Sequence, residues 1–215
     1  MAQLLLRAWR GNVLLKLDQY KTVLSPLLKE TRFEHSLRVS QTCVQLAERF
    51  GQDSESLAVA GLLHDAAKYL SPDRLEGYGV PKEEREEAIF SRYPEVWHAM
   101  VAPSLLSHFF GIEDRSILDA VKWHSTGTES MSVFSKIVFV ADFIEPGRRS
   151  NRAETVRKLS ETCLDEASLM ISGFMMTWLL SQHQLIFPHT LFCYNDLLNR
   201  VGKTRVAALL SVPFS

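Results

Sequence analysis

The chain has 215 residues, of which 46% are hydrophobic and 23% charged, and this ordinary balance excludes an intrinsically disordered chain. Its 24 basic and 25 acidic residues leave a net charge of −1, which argues against a dedicated nucleic-acid-binding protein because such proteins are basic. Ten glycines and eight prolines are few for this length and favour long helices over a β-sandwich or β-barrel.

Apolar residues recur at three- and four-residue spacing along most of the chain, which predicts amphipathic helices, and strand-like alternation is absent from the sequence. Gly51 ends the first predicted helix, Asp114 caps the fifth, and Pro103 is a candidate break in the fourth. The predicted helices cover residues 34–50, 54–69, a segment that starts at 81, 95–110, 114–124, 132–144, 153–164 and 166–182.

About eight helices joined by short loops predict an all-α bundle. Residues 132–144 are apolar on nearly every face, so we expect this helix to be buried at the centre of the bundle. The apolar stretch 174–180 leaves two interpretations open, core packing or a homodimer interface, and core packing is the default.

The cysteines indicate the compartment. Cys43, Cys163 and Cys193 are odd in number and far apart, so we expect no disulfide framework and a cytoplasmic location. The apolar start of the chain is interrupted early by arginine, and no signal-peptide cleavage site follows. The most apolar later stretch is about 12 residues long, whereas a membrane-spanning helix needs about 20, so we expect no membrane partner.

Several histidines and aspartates stand in or at the ends of predicted helices and are candidates for chemistry. Asp142 lies in the nearly all-apolar helix, where an unpaired buried carboxylate is costly, so it needs an arginine, a lysine or a metal ion as partner. Asp65, between apolar neighbours, raises the same question. Imidazole and carboxylate ligands together suit divalent iron, manganese, cobalt or zinc. The candidate residues are His35, His64, Asp65, His98, His124 and Asp142.

These residues also have structural interpretations. A single helical histidine is more often a satisfied core residue than a ligand, and Asp142 alone is also compatible with a structural ion pair. The dipeptide of His64 and Asp65 is weak evidence by itself, because neighbours on a helix point about 100° apart. His108, His183 and His189 have no partner pattern, and we interpret them as structural or surface residues.

Four segments in a fixed order resemble a known family. They read EHSLRV at 34–39, AGLLHDAAK at 60–68, WHSTG at 123–127 and VADFIEPGR at 140–148. Their histidines and aspartates resemble the HD superfamily of metal-dependent phosphohydrolases. More narrowly, the four segments resemble the YqeK family of symmetrical bis(5′-nucleosyl)-tetraphosphatases, and the last two are the most specific. The resemblance implies an HD-domain helical bundle over residues 18–198, between a helical lead-in at 1–17 and a C-terminal tail at 199–215.

The resemblance implies two divalent metal ions, iron in this family, with manganese, cobalt or other divalent ions as substitutes. It assigns one ion to His35, His64, Asp65 and Asp142, and the second to Asp65, His98 and His124, so that Asp65 bridges the two. Ala99 and Ser125 stand where the family usually has Gly and Thr. The segment 72–97 matches least well, which makes His98 the ligand with the least support.

The reaction implied by the resemblance is hydrolysis of a dinucleoside polyphosphate, with diadenosine tetraphosphate cleaved symmetrically to two ADP. Paired cations would activate a water and clamp the phosphoryl oxygens. Asp65 and Lys68 are the implied catalytic residues, and a salt bridge to a helix-end acid is the structural alternative for Lys68. The implied substrate-binding residues are Lys68, Thr126, Gly127 and Arg148.

Other functions stay open at this point. Another HD phosphohydrolase would act on a nucleoside monophosphate or a deoxynucleoside triphosphate, although His98 and His124 favour the two-metal branch over one-metal nucleotidases. A non-catalytic HD module would bind a nucleotide or a partner protein, but such modules usually lack a ligand residue. A metal-free helical scaffold with core histidines would not explain the order of the motifs.

Overall fold

The computed structural model describes residues 17–85 and 87–210, and within these ranges the chain is helical and contains no strand. The predicted all-α class is confirmed. The predicted lead-in at 1–17 lies outside the described residues, apart from Leu17. No helix in the described ranges is both long and apolar enough to cross a membrane. All three cysteines are free, as predicted.

The described ranges contain twelve α-helices rather than about eight. They are α1 (Leu17–Leu24), α2 (Glu30–Arg49), α3 (Ser54–Leu63), α4 (Pro72–Glu76), α5 (Glu87–Arg92), α6 (Pro94–His108), α7 (Arg115–Trp123), α8 (Val133–Ile144), α9 (Asn151–Ser160), α10 (Leu164–Ser181), α11 (Pro188–Val201) and α12 (Lys203–Leu210). Two 3₁₀ helices cover Ser25–Leu27 and Lys82–Glu84. The additional helices escaped prediction because most are short, and α11 buries only a narrow face of Thr190, Cys193 and Leu197.

Capping residues set the boundaries of the helices that carry the candidate residues. The side chains of Asp53, Asp114 and Ser132 accept hydrogen bonds from backbone N–H groups in the first turns of α3, α7 and α8. Helix α6 runs through Pro103 without the predicted break. The longest deviation is in α3, which ends at Leu63 instead of continuing to Tyr69.

Helix α8 is the central helix that its apolar sequence predicts. It contacts α2, α3, α7, α9 and α10, and its side chains from Phe134 to Ala141 are buried. One of these is Lys136, whose ammonium group pairs with Asp165 at the start of α10 at 2.5 Å. A helix packed on so many sides can hold an acidic side chain in a fixed position, and Asp142 stands in its last turn.

The stretch 174–180 in α10 is only partly core. Phe174 packs on Phe143, with ring centroids 6.4 Å apart. The default interpretation of core packing is wrong for Trp178 and Leu180, which are 54% and 60% exposed. The stretch lies on one long helix, so its side chains face both the bundle and solvent.

Helices α2 and α3 approach closely because Gly61 has no side chain. A Cβ atom at this position would lie 2.8 Å from Sγ of Cys43 and 3.0 Å from Cα of Ser40. Both Cys43 and Ser40 belong to α2, so a larger residue would push the two helices apart.

We expect Gly61→Ala to lower the free energy of unfolding by about 1–3 kcal/mol, since overpacking displaces the α2 backbone. Gly173→Ala in α10 is the matched control, because its Cβ would meet only Tyr194 Cε2 at 3.9 Å. There, the gain in helix propensity should stabilise the protein by about 0.5–1 kcal/mol. Urea unfolding measures both variants, and equal stabilities would contradict the close approach.

Candidate metal centre

The pair His64 and Asp65 lies just beyond the end of α3, in a tightly turned segment. Backbone hydrogen bonds run from Ala66 to Leu63 at 3.0 Å and from Lys68 to Asp65 at 2.9 Å, so they span three residues instead of four. Nε2 of His64 and Oδ2 of Asp65 come within 3.3 Å of each other.

The first half of the centre joins α2, the turn after α3, and α8. Nε2 of His35 lies 2.9 Å from Oδ1 of Asp142, and Nε2 of His64 lies 3.9 Å from the same oxygen. The three ligand atoms lie close enough together to hold one metal ion. Asp142 is less buried than its helix suggested, since 24% of its side chain is exposed.

The second half joins Asp65 to α6 and to the end of α7. Oδ1 of Asp65 lies 3.1 Å from Nε2 of His98 and 3.6 Å from Nε2 of His124. The two imidazole nitrogens are 3.2 Å apart. His64, Asp65 and His124 also form a second set with metal-binding spacing. The structure thus brings together all six candidate ligands, including His98 with its weak sequence support, and their role as ligands stays a prediction.

The rings of the centre are oriented by hydrogen bonds on their far sides. Nδ1 of His64 is 2.7 Å from the carbonyl of Gly61, and Nδ1 of His124 is 2.7 Å from that of Val121. A carbonyl can only accept, so each Nδ1 carries a proton, and in the neutral ring each Nε2 presents a lone pair to the cluster. His35 follows the same pattern, with Nδ1 at 3.2 Å from Oε1 of Glu145.

This arrangement fits a cation. Nε2 of His35 and of His64 are buried and make no hydrogen bond, although His35 Nε2 lies beside a carboxylate oxygen. Lone pairs and carboxylate oxygens that face one another at such distances repel unless a positive charge lies between them. Imidazole and carboxylate together form a donor set suited to a divalent metal ion, which removes the repulsion.

The surroundings set the protonation of these groups. Burial lowers the pKa of His98 to about 4, with neighbouring His124 and Lys68 acting in the same direction. Burial alone would raise the pKa of Asp65, but His64, His124 and His98 together hold it well below the usual range. His98 is therefore neutral and Asp65 ionised at neutral pH, and these are the forms that bind metal ions.

Three cationic side chains border the cluster. Nζ of Lys68 lies 3.3 Å from Nε2 of His98 and 4.0 Å from Oδ1 of Asp65. NH2 of Arg148 donates to Oδ1 of Asp142 at 3.1 Å. NH1 of Arg32 donates to Oδ2 of Asp65 at 3.0 Å. The arginine partner that the sequence left open for Asp142 is thus present, and it coexists with two imidazoles on the same carboxylate.

Thr126 and Gly127, the other predicted substrate-binding residues, form a buried turn. The Thr126 hydroxyl donates to the carbonyl of Gly127 at 2.9 Å, and Gly127 has a φ of 63°, a value that favours glycine. A side chain at Gly127 would collide with Cys193 of α11. These contacts favour a structural role in placing His124, and substrate binding by the pair stays a prediction.

Sequence reasoning missed Arg32, Arg38 and Glu145. Glu145 accepts a hydrogen bond from Nε of Arg38 at 2.6 Å, besides facing His35. The spacing in the sequence could have identified the two arginines, because Arg32 and Arg38 each stand three residues from His35 and so share its face of α2. His108 and His183 are exposed, as expected for surface residues, and the ring of His189 lies tilted against that of Trp123, with centroids 4.5 Å apart.

Comparisons with known proteins agree with this geometry. Residues 32–147 match the model of the HD domain family. The chain is 36% identical to a protein of Bacillus subtilis (strain 168) named "Bis(5'-nucleosyl)-tetraphosphatase, symmetrical", over 80% of this chain and 92% of that one. It is 34% identical to a protein of the same name from Halalkalibacterium halodurans, over 82% of this chain and 94% of that one.

A solved structure has the same fold. It is described as a predicted HD superfamily hydrolase involved in NAD metabolism from Clostridium acetobutylicum. The two structures superpose with a TM-score of 0.80 at 29% sequence identity, over 87% of this chain and all of that one. The similarity therefore extends over nearly the entire bundle, beyond the segment that carries the HD residues.

The low pKa of His98 generates a prediction for the metal-free protein. The unfolded chain, with a histidine pKa near 6.5, binds more protons than the folded chain between about pH 6.5 and 4. The free energy of unfolding should therefore decrease as the pH falls through this window. We expect His98→Gln to make that decrease shallower, measured by urea unfolding in excess chelator. His108→Gln, on the surface of α6, is the control, and an identical slope in all three proteins would contradict the prediction.

Proposed function

The chain belongs to the HD domain family, and on this premise we propose that it is a metal-dependent hydrolase that cleaves diadenosine tetraphosphate and related dinucleoside polyphosphates symmetrically. One observation carries the proposal. The buried carboxylate of Asp65 lies between two groups of imidazoles, with Oδ2 toward His64 and Oδ1 toward His98 and His124. The identity of 36% with a relative named for this reaction supports the choice of substrate.

We propose that the centre holds two divalent ions, iron by preference. His35, His64, Asp65 and Asp142 would hold the first ion, and Asp65, His98 and His124 the second. Support comes from the Nε2 atoms of His64 and His124, which face the cluster, and from the position of Asp65 between His64 on one side and His98 and His124 on the other. Manganese, cobalt or another divalent ion would suit the same nitrogen and oxygen ligands.

The reaction consumes one water and yields two ADP. The water oxygen forms a bond to one of the two central phosphorus atoms. The bond from that phosphorus to the oxygen that bridges the two central phosphorus atoms breaks, and the proton of the water is released to solvent or a base. Divalent ions at the centre would supply Lewis acidity toward the water and the phosphoryl oxygens. The chain itself supplies position and charge, which is most of what phosphoryl transfer requires of a protein.

The cationic side chains at the border would bind the polyphosphate. Lys68 is 25% exposed and Arg148 is 45% exposed, so both can reach a ligand in the solvent-facing part of the centre. Arg148 forms a fork that suits phosphate oxygens, and Lys68 acts as a point charge close to Asp65. We assign Lys68 to catalysis and phosphate binding and Arg148 to phosphate binding, with Thr126 and Gly127 as the less exposed candidates.

The remaining proposals concern the whole chain. We propose residues 18–198 as the HD domain, although α11 extends a little further, to Val201. Free cysteines and a balanced charge support a cytoplasmic protein with no nucleic-acid or membrane partner. The exposed apolar side chains of Trp178 and Leu180 provide a surface on α10 that a second copy of the chain could cover in a homodimer.

We expect Asp65→Asn to remove metal content and hydrolysis together, because it takes away the carboxylate shared by the two groups of imidazoles. Elemental analysis and a diadenosine tetraphosphate assay measure the two effects on the same sample. His64→Ala should cause the same two losses, and His108→Ala on the surface of α6 should leave metal content and hydrolysis unchanged. Full activity in a metal-free Asp65→Asn protein would contradict the assignment.

Product analysis separates the proposal from its alternatives. We expect diadenosine tetraphosphate to give two ADP, since breaking the bridge between the two central phosphorus atoms leaves two phosphates on each side. Production of ATP and AMP would rule out symmetric cleavage. Faster hydrolysis of nucleoside monophosphates or deoxynucleoside triphosphates would favour another HD phosphohydrolase, and binding without turnover would favour a non-catalytic module.

Metal removal should also destabilise the protein. The facing nitrogen and carboxylate groups repel one another without a cation, and a ligand bound only by the folded state stabilises it by mass action. We expect a lower melting temperature after chelation, and its recovery when manganese or iron(II) is added back. An unchanged melting temperature after verified removal of metal would contradict a metal centre at this site.

A further inference from the structure

Glu145 is a buried carboxylate directly after α8, and both of its oxygens are engaged. Oε1 lies 3.2 Å from Nδ1 of His35. Oε2 accepts hydrogen bonds from Nε of Arg38 and from the backbone N–H of Gly147, both at 2.6 Å. Only 3% of the Glu145 side chain is exposed, so these contacts take the place of water.

The three partners arise from separate features of the sequence. His35 and Arg38 are three residues apart on α2, so one carboxylate can contact both. Gly147 closes the arrangement from the other side. A Cβ atom there would lie 2.8 Å from Oε1 of Glu145 and 2.9 Å from NH2 of Arg38. Only glycine lets the backbone approach the carboxylate this closely.

The carboxylate does for His35 what backbone carbonyls do for two other rings. Gly61 and Val121 supply fixed acceptors to Nδ1 of His64 and His124. Nδ1 of His35 faces a side chain instead, and a side chain keeps its orientation only if other groups hold it. Arg38 and the Gly147 N–H provide that support.

We propose that Glu145 is a positioning residue of the centre, which accepts the Nδ1 proton of His35 and thereby directs Nε2 of the ring toward the centre. The inference rests on the proposed metal centre. The effect on the tautomer, however, is a property of the metal-free protein. A histidine binds a metal through its unprotonated nitrogen, so a ring with the proton on Nε2 cannot serve as this ligand.

The backbone of the same residue helps to hold the turn that carries Arg148. The N–H of Arg148 donates to the carbonyl of Glu145 at 2.8 Å, and NH2 of Arg157 donates to the carbonyls of Ile144 and Arg148 at 2.8 and 2.9 Å. Glu145 therefore connects the orientation of His35 to the position of Arg148, a phosphate-binding candidate six residues after Asp142.

The test replaces Glu145 with Gln, which keeps the size of the side chain. Its NH2 group must then face at least one of the groups that donate to the carboxylate, which are His35 Nδ1, Arg38 Nε and the Gly147 N–H. Nitrogen-15 spectra of the imidazole rings in metal-free protein report the tautomer, with His35→Gln used to assign the His35 signals. We expect Nδ1 of His35 to be protonated in the unaltered protein and to lose its proton in part of the Glu145→Gln molecules, where Asp142 draws the proton to Nε2. The affinity for cobalt(II), followed by its absorption, should fall about 10–100-fold, the range for a lost partner of a metal-binding histidine.

Glu166→Gln is the matched control. Glu166 is also a mostly buried glutamate and forms a two-bond pair with Arg205 at 2.7 and 2.9 Å, but its partner is not an imidazole. It should leave the His35 tautomer and the cobalt affinity unchanged. Gly147→Ala is the second variant, since its Cβ displaces the Glu145 carboxylate without removing the charge, and it decides the question if Glu145→Gln fails to fold.

The outcomes separate this inference from the proposed function. An unchanged His35 tautomer and unchanged cobalt affinity in a folded Glu145→Gln or Gly147→Ala protein would overturn the positioning role, even if the unaltered protein hydrolyses diadenosine tetraphosphate. The expected changes in a protein that does not hydrolyse this substrate would support the positioning role and refute the proposed substrate.

Discussion

The site depends on one buried carboxylate, that of Asp65, toward which five basic groups point. On one side are Arg32 and His64, at 3.0 and 3.3 Å from Oδ2. On the other side His98, His124 and Lys68 lie 3.1 to 4.0 Å from Oδ1. A buried carboxylate is tolerated only when it is paired, and loss of its partners costs about 3–5 kcal/mol. The bundle therefore has to bring α2, α6, α7 and the turn after α3 to the same point.

Two features of the backbone make that convergence possible. Gly61 brings α3 against α2, and its carbonyl orients the ring of His64 three residues later. The same residue therefore sets both the packing of the helices and the direction of a candidate ligand. His64 and Asp65 follow directly after α3, and the outer atoms of their side chains meet at the centre, with Nε2 and Oδ2 3.3 Å apart.

The candidate site could be predicted largely from residue type and motif order, since imidazoles and carboxylates in apolar helices already raise the question of a cation. What surrounds them could not be predicted. Glu145 stands in the segment VADFIEPGR, but the segment alone does not show which groups the carboxylate contacts, because one of its partners, Arg38, lies 107 residues away in the chain. The exposure of Trp178 and Leu180 was hidden for a related reason, because an apolar run does not reveal which residues the neighbouring helices cover.

The two interpretations of Asp142 from sequence, an ion pair or a metal ligand, do not exclude each other, because its Oδ1 contacts both an arginine and an imidazole. Arg148 holds Oδ1 at 3.1 Å, but its guanidinium is 45% exposed, and exposed ion pairs contribute about 0–1 kcal/mol. The imidazole nitrogen of His35 is closer to the same oxygen, at 2.9 Å, and is held from behind by Glu145. A divalent cation between the imidazoles and the carboxylate would replace Arg148 as the partner of Asp142.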